Sequence, residues 1–211
     1  MKIKAIVEFM GTMFLVAAIV GSGFMATNLT DDVALQLLID GISATTMLAV
    51  IIALFKDISG AHFNPIVSLY KFFIKELDLR TAFIFIVVQI LGAISGSKLA
   101  NLMFSNAPIG ISNTNRQGLG LFLGEVVASF GLVLIVAMKK GKPEFLIPAW
   151  IASAYFFTSS TSFANPAVTI GRIFTDSFAG ISPKSVAPFI AAQLVGLFLV
   201  LLIAPLLKEK K

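Results

Sequence analysis

The sequence predicts an all-α membrane protein: six transmembrane helices plus two re-entrant half-helices, arranged as an inverted repeat. Three observations point there. Long apolar runs recur along the 211 residues, of which 57% are hydrophobic and only 13% charged, against about a quarter charged in soluble domains. Two further apolar stretches are only half a bilayer long, and each opens on Asn-Pro. Three ordered sequence matches relate the two halves of the chain.

Runs long enough to cross roughly 30 Å of hydrocarbon place spans at 5–25, 33–55, 81–104, 119–138, 144–158 and 184–207. The fifth is short and contains Pro148, so it borrows flanking residues. Met1-Lys2-Ile3-Lys4 before an apolar run resembles a signal peptide. Glu8 interrupts that run and no small-residue cleavage site follows, so it reads as the first span. The stretches from Asn64 to about Ile74 and from Asn165 to about Thr175 remain. At about 1.5 Å per residue each reaches only halfway, which is tolerated where protein or a cavity surrounds it.

The matches pair Glu8-x-x-x-Thr12 with Glu125-x-x-x-Ser129, Asn64-Pro65-Ile66-Val67-Ser68 with Asn165-Pro166-Ala167-Val168-Thr169, and Gln89-x-x-Gly92 with Gln193-x-x-Gly196. Three spans per copy is an odd number, so the second copy enters from the opposite face. One domain, residues 1–211, is therefore expected from inverted repeats 1–104 and 119–211. The cytoplasm-facing set under the positive-inside rule holds Lys2, Lys4, Lys56, Lys71, Lys75, Arg80, Lys139, Lys140, Lys142, Lys208, Lys210 and Lys211. Lys98, Arg116, Arg172 and Lys184 fall outside. This bias places both termini in the cytoplasm, and it explains the net charge of +5 better than a nucleic-acid partner does.

Cysteine is absent and His62 is the single histidine, which excludes thiolate chemistry and leaves a metal cluster without its usual ligands. No nucleophile–base pair stands out, and nothing calls for a cofactor. The Asn-Pro pairs carry the chemistry instead. Asn is a favoured N-cap and Pro suits the first helical position. Asn64 and Asn165 would thus start half-helices whose N-termini meet at mid-membrane, each with about half a positive charge. Such ends repel cations and hydronium, while Asn amide groups can donate to a passing oxygen. Carbonyls of the unwound segments 58–63 and 158–164 can supply acceptors. A single Asn-Pro would mean only a turn or helix start; two at equivalent repeat positions indicate a pore. On residue type alone, Glu8 and Glu125 read as intramembrane ionisable sites.

At Ile58-Ser59-Gly60-Ala61-His62-Phe63-Asn64-Pro65 and Phe163-Ala164-Asn165-Pro166-Ala167 the chain resembles the aquaporin (major intrinsic protein) family over nearly its whole length. The resemblance implies an aquaporin-like fold and a homotetramer in membrane lipid with one pore per subunit. It makes Glu8 and Glu125 buried carboxylates that brace the re-entrant loops, and it sets His62 near the cytoplasmic side of the pore. There His62 either contacts solute or packs the loop. Departures bear on the solute. The first motif ends in Ile66 rather than Ala, and the arginine that usually follows the second motif is replaced by Val168. Carried over by ungapped offset, the other filter positions are Ala44, Ser153 and Ser162. Ala, Ser, Ser and Val imply a wide, uncharged opening, similar to bacterial members with Asn-Pro-Ala-Val-Thr-Ile-Gly-Arg that are associated with metalloid solutes.

The expected function is a passive channel in the plasma (inner) membrane for water and neutral solutes such as glycerol, urea or metalloid acids. The alternatives are a water-only pore, against which the missing arginine and aromatics argue, and an ion-coupled transporter. The latter needs a titratable relay, and only Glu8, Glu125, Asp40 and His62 are available. A purely structural membrane protein would have no use for two converging Asn-Pro ends. Finally, Arg172 lies four residues after Val168, and Asp40 four before Ala44. Residues spaced i,i+4 share a helix face, so these two charges are expected in the outer vestibule, facing one another or each turned to water.

Overall fold

The computed structural model describes residues 1–105 and 110–207; the expected cytoplasmic lysines Lys208, Lys210 and Lys211 lie outside them. The helices are α1 (Lys2–Leu29), α2 (Val33–Ser59), α3 (Pro65–Phe73), α4 (Leu79–Met103), α5 (Leu119–Met138), α6 (Pro143–Phe157), α7 (Pro166–Gly171) and α8 (Pro183–Leu207). A 3₁₀ turn, Arg172–Phe174, extends α7. Long helices α1, α2, α4, α5 and α8 are each apolar and long enough to cross a membrane. The sixth, α6, has 15 residues, about 22 Å at 1.5 Å per residue, so its flanks complete the span as the short run between Lys142 and Thr158 implies.

Local chemistry sets the ends. Asp32 caps α2, its carboxylate accepting from the Ala34 N–H at 2.8 Å. The helix stops at Gly60, whose φ of 94° lies in the left-handed region that glycine tolerates. Asp78 caps α4 through the Thr81 N–H at 3.0 Å.

The repeat is visible in the packing. α1 lies along α4, and α5 along α8, so each repeat's first and third spans form its backbone. Without a hydrophobic force between helices in lipid, close approach depends on small residues. A Cβ on Gly92 would stand 2.4 Å from the Phe9 carbonyl oxygen of α1, and one on Gly196 2.8 Å from the Val126 carbonyl oxygen of α5. Both glycines belong to the Gln-x-x-Gly match. Between the two pairs, α3 and α7 enter from opposite repeats and meet.

Candidate functional site: a lumen between two half-helices

Each half-helix starts as an Asn-Pro pair dictates. The Asn64 side-chain oxygen accepts the Ile66 N–H at 3.1 Å. That of Asn165 accepts the Ala167 N–H at 2.9 Å and the Val168 N–H at 3.3 Å. Pro65 and Pro166 occupy first helical positions. The amide nitrogens cross over: Asn64 Nδ2 donates to the Ala164 carbonyl and Asn165 Nδ2 to the Phe63 carbonyl, both at 2.8 Å. One hydrogen of each amide is spent tying the two loops together. The other remains, and both asparagines line a cavity of about 330 Å³.

The loops before the asparagines are strained. Ala61, Phe63, Thr161, Ser162 and Ala164 all have φ between 46° and 59°, a region that costs non-glycine residues of order 1–3 kcal/mol each. Two carboxylates hold them. Glu8, fully buried, accepts from Ser59 Oγ (2.6 Å), the His62 N–H (3.0 Å), the Phe63 N–H (2.7 Å) and Gln89 Nε2 (2.8 Å). Glu125, also fully buried, accepts from the Phe163 N–H (2.8 Å), the Ala164 N–H (2.9 Å) and Gln193 Nε2 (2.7 Å). Gln89 reaches on to Ser68 Oγ at 3.1 Å, and Gln193 to Thr169 Oγ1 at 2.9 Å. The Asn, Pro, Gln, Gly and Ser/Thr positions shared by the two repeats thus each have a structural task.

The lumen wall differs from expectation in three places. Ala44, Ser162 and Val168 line it, but Ser153 does not; it is exposed on α6. Ile147, Ile151 and Tyr155, four residues apart, form the lumen face of that helix. Ser153 is two positions from Ile151, about 200° around a 3.6-residue helix, hence the miss by ungapped offset. Ile66 is fully buried in the core rather than on the wall; the matched pair Val67 and Val168 faces the lumen. The buried Ala167 likewise points away. His62 does line the lumen, with Nδ1 3.0 Å from Ser68 Oγ and its ring edge-to-face with Phe85, centroids 5.4 Å apart.

The end of the lumen beyond Val168 is not uncharged. Arg172 lines it together with Tyr155 and Phe163. The Arg172 guanidinium carbon stands 3.6 Å from the Phe163 ring centroid, and its Nε donates to the Ala179 carbonyl. Asp40 and Arg172 make no ion pair: the pairs among the described residues are Lys56–Glu144, Lys71–Glu76 and Lys139–Glu76. Asp40 instead accepts from Ser22 Oγ at 2.8 Å. Arg116, from the outer connection, is 5.2 Å from the same Phe163 centroid and donates to the Gly180 (3.0 Å) and Phe178 (3.2 Å) carbonyls. Burial, then the neighbouring Arg172 charge, lower the Arg116 pKa to about 10, so it is still a cation at neutral pH.

At the opposite end Lys56, Lys71, Lys139 and Lys140 line the mouth. Glu76 joins Lys71 (2.8 Å) to Lys139 (2.5 Å), and Glu144 holds Lys56 (2.8 Å). Those lysine hydrogen bonds, Lys139 first, pull the Glu76 carboxyl down to about 2. Sequence reading missed Tyr155, Phe163, Arg116 and this clip. Arg116 carried no signal, whereas the four-residue spacing on α6 could have exposed Tyr155. Among the described residues no group of three or more acidic or histidine side chains could hold a metal.

The profile of the family described as "Major intrinsic protein" matches residues 1–159. The chain belongs to the major intrinsic protein family. It is 42% identical over 197 residues to the aquaglyceroporin AqpS of Rhizobium meliloti (strain 1021), covering 92% of this chain and 84% of that one. It is 32% identical over 184 residues to a probable TIP-type aquaporin of Medicago truncatula, covering 78% and 72%. The fold is similar to the aquaglyceroporin from Plasmodium falciparum, with a TM-score of 0.72 at 18% identity over 97% of this chain and 96% of that one. Members of this family are channels, not enzymes, and this major intrinsic protein is a membrane channel for water and small solutes.

Proposed function

We propose that the channel passes water and small uncharged solutes, such as glycerol, urea or undissociated metalloid acids, while excluding protons and other ions. One observation carries this reading: Asn64 and Asn165, each capping a half-helix, face the same lumen with a spare N–H apiece. The converging helix ends supply positive potential there, which a cation must cross without its hydration shell. A neutral solute can accept the asparagine hydrogens and pass. The relative AqpS is named an aquaglyceroporin, in keeping with solutes larger than water. Passive flux is favoured over ion coupling because Glu8 and Glu125 spend their oxygens on the loops and are absent from the lumen wall. We assign the channel to the plasma (inner) membrane, as a homotetramer with both termini cytoplasmic, the orientation that the basic residues favour.

Stopped-flow shrinkage of proteoliposomes with water, glycerol, urea and arsenous acid side by side tests the reading. Protein-dependent flux of water and at least one larger solute is expected. Water flux alone would make the pore water-selective, and flux driven by a pH or sodium gradient would make it a coupled transporter.

A further inference from the structure

We infer that the lysine-lined mouth of the lumen binds a small, soluble, phosphate-like oxyanion, which seats there without passing and blocks the channel. This rests on the channel reading only for the flux that the block reduces.

Basic residues gather on one membrane face by the positive-inside bias, but that bias does not choose which of them border the lumen. Four do so here: Lys56 from the last turn of α2, Lys71 from the last turn of α3, and Lys139 and Lys140 just after α5. Among the described residues no carboxylate lines the cavity. Glu76, Glu144 and Asp57 stand near those lysines without forming part of its wall. A cleft lined by charges of one sign between low-dielectric walls focuses their field and concentrates the opposite ion.

The donors are only partly used. Each ammonium has three hydrogens. Lys56 gives one to Glu144, and Lys71 and Lys139 give one each to the two oxygens of Glu76. Sharing a single carboxylate holds the Lys71 and Lys139 ammonium groups close together, with two hydrogens left on each. Lys140 has no ion-pair or hydrogen-bond partner among the described residues. The turn carrying these two lysines is constrained: Lys139 sits at φ 50°, a left-handed conformation that is costly for a residue with a side chain. α6 follows with Pro143 on the lumen wall and no side chain capping its N-terminus, so its positive dipole end adds to the same field.

The wall also explains why the anion stops there. One and two helical turns back from Lys56 and Lys139 it consists of Ile52, Leu48, Ile135 and Leu132. These alkyl groups offer a charge nothing in exchange for its water, whereas a neutral solute loses far less by crossing them. Two or three charge-assisted hydrogen bonds at the mouth correspond to binding at about 1–10 mM.

The test is osmotic water flux through phosphatidylcholine proteoliposomes, with phosphate on both sides so that either orientation of the channel meets it. Inorganic phosphate at about 20 mM should cut the protein-dependent flux at least about twofold relative to sodium chloride of equal ionic strength. Block is scored against each variant's own flux in chloride. Lys140→Gln and Lys71→Gln should each raise the half-blocking concentration about three- to tenfold, the scale of one such hydrogen bond. Lys75→Gln, a basic position off the lumen wall, should leave it unchanged. If Lys71→Gln does not fold, Lys140→Gln decides, because Lys140 holds no other residue in place. Equal flux in phosphate and chloride, or a block that neither lumen lysine variant weakens, overturns the site. Flux that falls only when an anionic phospholipid is added to the vesicles overturns the soluble ligand. Wild-type vesicles with no protein-dependent water flux in chloride would instead overturn the channel reading.

Discussion

Replacing Glu8 by glutamine or leucine separates bracing from any transport role. In Glu8→Gln one oxygen becomes an NH₂ group. If it takes the Oε1 place, the Ser59 hydroxyl can turn and accept, but the His62 N–H is orphaned. If it takes the Oε2 place, Gln89 can flip, but the Phe63 N–H is orphaned. Either way one buried backbone donor loses its partner, a cost of about 1–3 kcal/mol. Glu8→Leu orphans both backbone donors and the Gln89 amide, so about 2–6 kcal/mol is lost from the N–H groups alone. The loop residues Ala61 and Phe63, at φ of 48° and 47°, would then have nothing to hold them strained. Glu125 faces Phe163 and Ala164 N–H groups in the same way, so Glu125→Gln and Glu125→Leu should repeat the ranking. Thermal unfolding of the purified protein in detergent, followed by Trp150 fluorescence, measures the order wild type, Gln, Leu. A leucine variant as stable as the wild type at either site would refute the bracing role.

Three further outcomes are expected. Val168→Arg puts a third guanidinium within a turn of Arg172 and into the lumen, and should cut glycerol flux more than water flux in the same vesicles. Asn64→Asp with Asn165→Asp sets negative charge against both positive helix ends, and should admit a cation leak that the wild type lacks, read by a pH-sensitive dye trapped in liposomes. With its carboxyl at about 2, below the ordinary 4.5 of glutamate, Glu76 contributes stability that is complete above pH 4.5 and lost as pH falls through 2. Glu76→Gln should therefore loosen the 139–142 turn at neutral pH, seen as faster proteolysis there, and an unchanged cleavage rate would count against the clip.

Fold and motif were legible because both rest on short-range rules. Span lengths follow from bilayer thickness, and Asn-Pro is a local capping device whose meaning needs no partner. The repeat could be read because Glu8, Gln89 and Ser68 have counterparts in Glu125, Gln193 and Thr169 that perform one shared task. The Arg172 end of the lumen was not legible. Ser153 was placed by counting back from Asn165, and the unwound segment 158–164 between them has no fixed rise per residue, so counting across it loses helical phase. Arg116 comes from a connection with no periodicity, and only tertiary packing brings it to Phe163. Arg172 does line the lumen, but Asp40 is buried on Ser22 and is not part of the wall, because one turn of helix does not tell whether two charges meet or each finds a nearer partner.

The two ends of the lumen show how the symmetric frame accommodates asymmetric function. The paired bracing groups are equivalent, so they can set the Asn64 and Asn165 positions but cannot distinguish inside from outside. What breaks the symmetry is added at the periphery. Lysines clipped by Glu76 and Glu144 ring one mouth, and guanidiniums with no ion pair among the described residues rest on Phe163 at the other. Phe163 belongs to both systems. Its N–H is held by Glu125, and it lies two residues before Asn165 on the same loop, while its side chain carries Arg172. A shift of the second loop would therefore move the asparagine donor and the outer arginine together. A change at Glu125 should therefore disturb both Asn165 and the Phe163–Arg172 contact, whereas a change at Glu8 acts on the first loop through Phe63.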